Sequence, residues 1–547
     1  MKRIFKYLVL AVLCLSAASC AGSITKKMQM AENVITTAEP NPLVVKGGKV
    51  PATITVTYPK GYFNANAVIV ATPVMVFDNG GQQTGESITY QGEKVKDNFK
   101  TISSKGQTVT ENISFDYCLG MEKSKLELRS VLIYNGQTYE MPTRTLAEGC
   151  ITTGCDKSAL KTHFDYKPDG YEKVLYQSTE GQIHYDVNSA NVKKDQLKSQ
   201  SIQDMQDELE EIKDNQRYKV TGTQIIAYAS PEGGEEYNAK LSDRRAASAK
   251  EAWGGLQGDL ESGTTEIKSI GQDWEGFQEA VAKSDMADKD LILRVLSMYS
   301  DPAVRESEIK NMSAIFGDLK KDVFPALRRA RFITNTEFEN YSDDELLKLA
   351  ETRLYSMDEP SILHLANLAT SLESKAALNK LAADKYNSQT GLYNLACNYL
   401  EAGDAQSAEY YLNKIQNQKD NDVINAQGVV KMLQGDYDAA APLFEKCHNI
   451  ANLGTIDMFK GDYEEAASKL DGTNSPNRAA AYIMNGEYDK AASVLKGDDA
   501  QTWYYRAIVA ARQGRSGEVK SALDKAFAKD ASLKEKAKND IEFAKYL

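Results

Sequence analysis

A chain of 547 residues, 42% apolar and 26% charged, has material for about three globular domains and is not the composition of a disordered protein. Its 77 acidic against 65 basic residues leave a formal charge of −12, and loss of a leader carrying Lys2, Arg3 and Lys6 would take it to about −15. That balance argues against nucleic acid or an anionic membrane surface as the main partner, and four histidines with no two at ligand spacing give no metal site.

The first residues have the order of a signal peptide: basic Lys2, Arg3 and Lys6, an apolar core from Tyr7 to Leu15, then Ala17-Ala18-Ser19-Cys20. The apolar core is too short to span a bilayer stably. This order resembles a bacterial lipoprotein signal, although Ala17 stands where that family usually has leucine. The resemblance implies removal of residues 1–19 and lipidation of Cys20. The competing reading is an ordinary secretory cleavage that leaves Cys20 bare, a liability in an oxidising compartment. No later run reaches eighteen apolar residues, so acyl chains would be the only membrane attachment. By the same resemblance, Ala21 implies the outer membrane, and the lack of an acidic cluster in Gly22–Lys27 implies its periplasmic face. Residues 20–43 are expected to be a lipidated tether.

Residues 44–150 have a β pattern. Ala52–Tyr58 alternates, Ala67–Phe77 is a buried apolar run, and Ile113–Tyr117, Leu126–Tyr134 and Gln137–Met141 follow, with Asn135-Gly136 as a hairpin turn. Strands at this spacing predict a β-sandwich. Cys118, Cys150 and Cys155 fall in or just after it. A disulfide is expected there, between Cys150 and Cys155 or between Cys118 and either of them. Cys397 and Cys447 lie in helical sequence and are expected to be small buried residues.

The apolar run Ile225-Ile226-Ala227-Tyr228-Ala229 stops at Ser230-Pro231, and a Gly-containing loop leads into a segment with Leu241, Ala246 and Ala249 on a helical period. Tyr228, Gly233, Tyr237-Asn238 and Leu241-Ser242-Asp243-Arg244-Arg245-Ala246 follow the order of a known pattern: a strand ending near Tyr-Thr-Asp, a Gly loop, Tyr-Asn, then Leu-Ser-x-Arg-Arg-Ala. The stretch therefore resembles the C-terminal, peptidoglycan-binding domain of outer-membrane protein A and its OmpA-like relatives. Such a domain would occupy residues 171–335. Its first strand would be Gln182–Asp186, with His184 a packed residue. An acidic amphipathic helix over 195–215 would bury Ile202, Met205, Leu209 and Ile212. Glu266–Gly271 and Leu327–Thr334 would be the later strands. The extra residues, about 272–325, are expected to be a helical insertion presenting Leu291, Val295, Met298, Ile309, Met312, Ile315 and Phe316. The β-α-β-α-β…β order predicts a mixed sheet with helices on one face.

These domains hold the diaminopimelate group of peptidoglycan by both its charges. The resemblance gives Arg245 the ligand carboxylate, which a guanidinium meets bidentately beside a helix N-terminus, and gives Asn238 a loop-ordering role. The family's aspartate falls on Ser230, which brings no charge for the ammonium, and Glu232 is the candidate substitute. Arg245 bracing its own helix is the alternative, with Arg244 a solvated surface residue.

From 343 to 547 the chain is helical in pattern and repetitive. Glycine turns stand at Gly403, Gly435, Gly461, Gly486 and Gly514. Small residues precede them (Ala396, Gly428, Gly454, Ala479, Ala507), others follow (Ala408, Ala440, Ala466, Ala491, Val519), and larger ones come later (Leu412, Phe444, Leu470, Leu495, Leu523). This register resembles the tetratricopeptide repeat, with shorter spacing, and Trp503 and Leu392 sit at the repeat's opening aromatic position. The fold class expected is thus multidomain α+β: β-sandwich, OmpA-like domain and α-solenoid.

No GxSxG, P-loop, HExxH or EF-hand pattern occurs, and no cofactor is implied. The expectation is a non-enzymatic outer-membrane lipoprotein, a periplasmic tether or scaffold binding peptidoglycan through the OmpA-like domain and an envelope protein through the repeats. The alternative is a purely protein-binding component of an outer-membrane assembly or secretion complex with the peptidoglycan site lost.

Overall fold

The computed structural model describes residues 30–547 apart from 259, 261, 262 and 474. Cys20 and the leader lie outside the described residues. The chain forms two compact units, one comprising the residues up to Lys167 together with Ala383–Leu547, the other Pro168–Ala382.

Twelve strands form the first part of the former unit: β1 (Ile35–Glu39), β2 (Leu43–Val44), β3 (Lys49–Tyr58), β4 (Val68–Phe77), β5 (Gln82–Thr84), β6 (Ile88–Gly92), β7 (Lys100–Ile102), β8 (Gln107–Asp116), β9 (Ser124–Tyr134), β10 (Gln137–Glu140), β11 (Arg144–Glu148) and β12 (Cys150–Ile151). One sheet runs β1-β3-β8 and a second runs β10-β9-β4-β6-β7, with β11 added to β9 and β5 to β4. The two-residue period of β3 turns Val50, Ala52, Ile54, Val56 and Tyr58 inward, where they share a core with Ile69, Met75, Leu126 and Leu128 of the other sheet. Asn135 and Gly136, with φ of 50° and 74°, supply the left-handed pair that a two-residue hairpin turn requires, and β9 and β10 pair directly across it. Regular structure is already present in the stretch expected to be a tether. β1 falls inside the stretch assigned to a tether and pairs with Thr53–Thr57; its sequence, ITTAE, has too few apolar residues to announce a strand.

The expected disulfide is not formed. Cys118 is exposed, Cys150 buried and Cys155 half-buried, each a free thiol. Cys150 packs into the sheet core, and burial pushes the thiols of Cys150 and Cys155 up to about 12, keeping them protonated.

The unit Pro168–Ala382 is built on β13 (Val174–His184), β14 (Tyr218–Ala229), β15 (Thr264–Gln272) and β16 (Arg329–Glu339), in the order β13-β16-β14-β15. β14 and β15 are parallel; the other pairs are antiparallel. Helices α1 (Gln200–Asp214) and α2 (Glu235–Leu256) bring Ile202, Met205, Leu209, Ile212, Ala246, Ala249 and Trp253 onto Ile183, Ile225, Ala227, Ala330 and Phe332. The first strand starts earlier than expected and stops at His184.

The insertion comprises α3 (Trp274–Lys283), α4 (Lys289–Met298), α5 (Pro302–Asn311), α6 (Ser313–Asp322) and α7 (Phe324–Leu327), with a core of its own around Phe277, Val281, Ile309 and Phe324. In α4 the buried face is turned from the one expected, whereas Ile309, Met312, Ile315 and Phe316 lie in or against the insertion's core. Leu291 and Met298 are exposed, whereas Ile292 and Leu296 are buried; the run LILRVL offers apolar residues on both faces, so periodicity alone does not choose between them. Helices α8 (Asp343–Arg353) and α9 (Glu359–Leu368) also belong to this unit, not to the repeats, and α10 (Leu372–Tyr386) follows.

Five helical hairpins return the chain to the first unit: α11 and α12 (Gln389–Glu401, Ala405–Leu412), α13 and α14 (Asn421–Leu433, Tyr437–Lys446), α15 and α16 (Ile450–Lys460, Tyr463–Leu470), α17 and α18 (Pro476–Met484, Tyr488–Val494), α19 and α20 (Ala500–Arg512, Ser516–Lys529), then α21 (Leu533–Asn539). All five turn glycines have φ between 72° and 85°, a region costly for a side chain. Small residues let the paired helices close: a Cβ on Gly428 would lie 2.5 Å from Cε1 of Phe444, and one on Gly454 would lie 2.8 Å from Cγ of Leu470. Ala396, Ala408, Ala440, Ala466, Ala491, Ala507 and Val519 are fully buried. Strands and helices of this unit meet directly. The Tyr463 hydroxyl donates to the Val45 carbonyl (2.9 Å) and the Gly47 amide to the Phe459 carbonyl (3.0 Å). Among the described residues no helix is long and apolar enough to cross a membrane.

Candidate functional site

The residues singled out by sequence converge where β14 ends and α2 begins. Alternation along β14 brings Ala227 and Ala229 into the core, so the chain must leave the sheet at Ser230-Pro231 and wrap over the first turn of α2. Asn238 holds that wrap. Its side-chain amide donates to the carbonyls of Ser230 (3.0 Å) and Gly233 (2.7 Å), the loop-ordering role expected of it. Gln272 at the end of β15 adds a second donor to Gly233 (2.7 Å).

Arg245, nearly three turns into α2, is 1% exposed. Its guanidinium donates to three backbone carbonyls: Nη1 to Tyr228 (2.9 Å), Nε to Ser189 (2.9 Å) and Nη2 to Asp186 (3.1 Å). It also lies 4.9 Å from the Tyr185 ring centroid. Burial pulls its pKa down to about 10, which leaves it charged at neutral pH. None of these bonds is to a carboxylate. Arg244, its neighbour in sequence, is exposed.

Ser230 and Glu232 are already engaged. Ser230 Oγ donates to Glu232 Oε1 (2.9 Å), and the same oxygen accepts from Arg328 Nε (2.9 Å) and Nη2 (2.8 Å). Side-chain exposures of 10% for Arg328 and 17% for Glu232 make this a largely buried pair. The Glu232 carboxylate is therefore directed at an internal cation.

A second pair lies beside it and was not anticipated. Asp273 follows β15, its amide donates to the Ala229 carbonyl (2.9 Å), and its carboxylate caps α3 through the Gly276 amide (2.9 Å). Arg329 meets the same carboxylate at 3.0 Å. Burial pushes the Asp273 carboxyl up, against the pull of Arg329. An aspartate thus stands at the end of the strand next to β14, where it serves a helix cap and an ion pair. Asp273 before a Trp-Glu-Gly helix start was a visible capping signal. That Arg328 and Arg329 would close on this loop was not visible, because the insertion separates them from it.

Chemically, the site is a self-satisfied cluster of three arginines and two carboxylates. Among the described residues no group of three or more His, Cys, Asp and Glu side chains is placed to hold a metal ion. No protein-family model matches this sequence, and no curated protein matches it.

Proposed function

We propose that this chain is a non-catalytic scaffold of a bacterial outer membrane, lipidated at Cys20 and facing the periplasm, in which the OmpA-like domain docks protein and no longer grips peptidoglycan. The observation that carries this reading is the use already made of each side chain the ligand would need. Arg245 is spent on the carbonyls of Tyr228, Asp186 and Ser189, and Glu232 is spent on Arg328. A diaminopimelate carboxylate would have to reach a guanidinium that is 1% exposed, and its ammonium would find Ser230 already donating to Glu232. The tetratricopeptide-like repeats supply the rigid frame of such a scaffold.

One observation favours the tether instead: Arg245 carries a buried charge whose three hydrogen bonds all go to neutral carbonyls, an arrangement that welcomes an anion if the loop opens. Sedimentation with diaminopimelate-type peptidoglycan separates the two. The full-length mature protein is expected to stay in the supernatant. Co-sedimentation that Arg245→Ala abolishes would establish the tether and overturn the docking reading. Incorporation of labelled palmitate, lost in Cys20→Ala, tests the anchor.

A further inference from the structure

The segment between the strand-rich part and residue 168 runs extended along the first helices of four hairpins, and each of those helices meets it with asparagine. Asn477 on α17 accepts from the Lys161 amide (2.8 Å) and donates to the Lys161 carbonyl (2.7 Å). Asn452 on α15 does the same for His163, at 2.7 and 2.8 Å, and Asn425 on α13 adds a donor to the His163 carbonyl (2.8 Å). Asn394 on α11 takes the Lys167 amide (2.8 Å) and gives to the Lys167 carbonyl (3.0 Å). The Tyr393 hydroxyl donates to the remaining carbonyl on that edge, Asp165 (3.1 Å).

Lys161, His163 and Lys167 are thus bonded through both backbone groups and Asp165 through its carbonyl, the every-second-residue spacing that a neighbouring strand would use. Carboxamide is the side chain suited to this, since it offers a donor and an acceptor together. All four asparagines are buried to 9% exposure or less, so an empty track would take from each of them hydrogen bonds that the segment now supplies, although Asn452 also donates to Asn425 and Asn477 to Thr455. These bonds read backbone and are blind to sequence. Side chains supply the preference: Leu160 enters the helical core, Phe164 and Tyr166 pack against it, and Lys167 pairs with Asp420 at 2.7 Å.

We propose that Asn394, Asn425, Asn452 and Asn477 form a recognition track for an extended peptide, and that residues 159–167 are its built-in ligand, closing the track to any other chain. Outside partners of the repeats must then use other faces or first displace this segment. The inference stands whether or not the protein binds peptidoglycan.

The test uses the full chain and a synthetic peptide of residues 158–168. Fluorescence anisotropy should detect no binding to the wild type. A variant with residues 161–167 replaced by Gly and Ser should bind the peptide, and Asn452→Leu with Asn477→Leu in that background should weaken binding at least tenfold. Equal binding by wild type and variant, or no binding by a variant with unchanged circular dichroism, overturns the proposal. Should the variant fail to fold, hydrogen exchange on the wild type decides. The fragment covering 160–168 is expected to exchange at least a hundredfold more slowly than the free peptide, and Asn452→Asp, which keeps the acceptor and loses the donor, should speed it at least tenfold. Exchange at the free-peptide rate in the wild type overturns it.

Discussion

One oxygen of Glu232 serves two neighbours: Oε1 takes the Ser230 hydroxyl at 2.9 Å and the Arg328 guanidinium at 2.8 Å. An aspartate placed at position 230 would therefore set a second carboxylate against the first in a site where Ser230 is 5% exposed. Ser230→Asp is expected to lower stability by about 1–3 kcal/mol, read by chemical denaturation, and Glu232→Gln by a similar amount through loss of the charged pair. A Ser230→Asp protein as stable as the wild type would mean that Glu232 is free to move away and that the loop is open to ligand.

Removing Arg245 deprives three backbone carbonyls of their donor, the buried one of Tyr228 and the partly buried ones of Ser189 and Asp186. Arg245→Ala is expected to cost about 2–4 kcal/mol, and Arg245→Lys to recover only part of it, because an ammonium cannot span three divergent acceptors. Melting temperatures of the three proteins, without any ligand, check this. A neutral Arg245→Ala would show the side chain to be held in reserve for an external anion.

In an exposed helix interior, Gly→Ala stabilises by about 1 kcal/mol. Gly428→Ala should do the reverse, since its Cβ would stand 2.5 Å from the Phe444 ring; a loss of about 1–3 kcal/mol is expected. Phe444→Leu combined with Gly428→Ala should lose less than the two single changes summed. At the turns the strain is in the backbone. Gly435, at φ 81°, should not tolerate valine, with a cost of about 1–3 kcal/mol.

Asp540 gives a pH dependence of unusual sign. It accepts from the Tyr504 hydroxyl at 2.8 Å, and burial first, then Glu542, pushes its carboxyl up to about 6. The folded form holds the proton more tightly than the unfolded form does. Its contribution is therefore present below pH about 4 and is lost as the pH rises to about 6. Asp540→Asn, which still accepts from Tyr504, is expected to raise the melting temperature at pH 7 and to leave it nearly unchanged at pH 4. An equal change at both pH values would assign the effect to packing.

Short-range demands were legible in the sequence. The glycine turns announce themselves because positive φ and close helix contact each restrict a single position, and these restrictions recur in phase. Ile202, Met205, Leu209 and Ile212 were legible for a similar reason, one amphipathic face against one sheet. The partners of the loop were not. Asp273, Arg328 and Arg329 arrive from the far side of β15 and of the insertion, and nothing local states that Glu232 will meet Arg328 before any ligand does. The asparagine row was in view but unread. Asn stands nine residues before the turn glycine in three hairpins, 394 to 403, 452 to 461 and 477 to 486, yet a polar residue on a helix is ordinarily taken for surface. Only the extended segment it holds gives it meaning, and that segment, KTHFDYK, has no pattern of its own.

The unit that unites the strands with the hairpins is interrupted in sequence by the whole of 168–382, and this sets an order of events. Pro168–Ala382 is contiguous and can fold as soon as it is complete, shortening the connection its neighbour must close. The strands before it, by contrast, stay without their helical partner until the last third of the polypeptide exists. Val45 and Gly47 wait for Phe459 and Tyr463, and Thr153 waits for Glu542 (3.2 Å). A chain cut short after α10 would thus carry a finished middle and an orphaned beginning, with its buried contacts turned outward to whatever chaperone or protease is at hand.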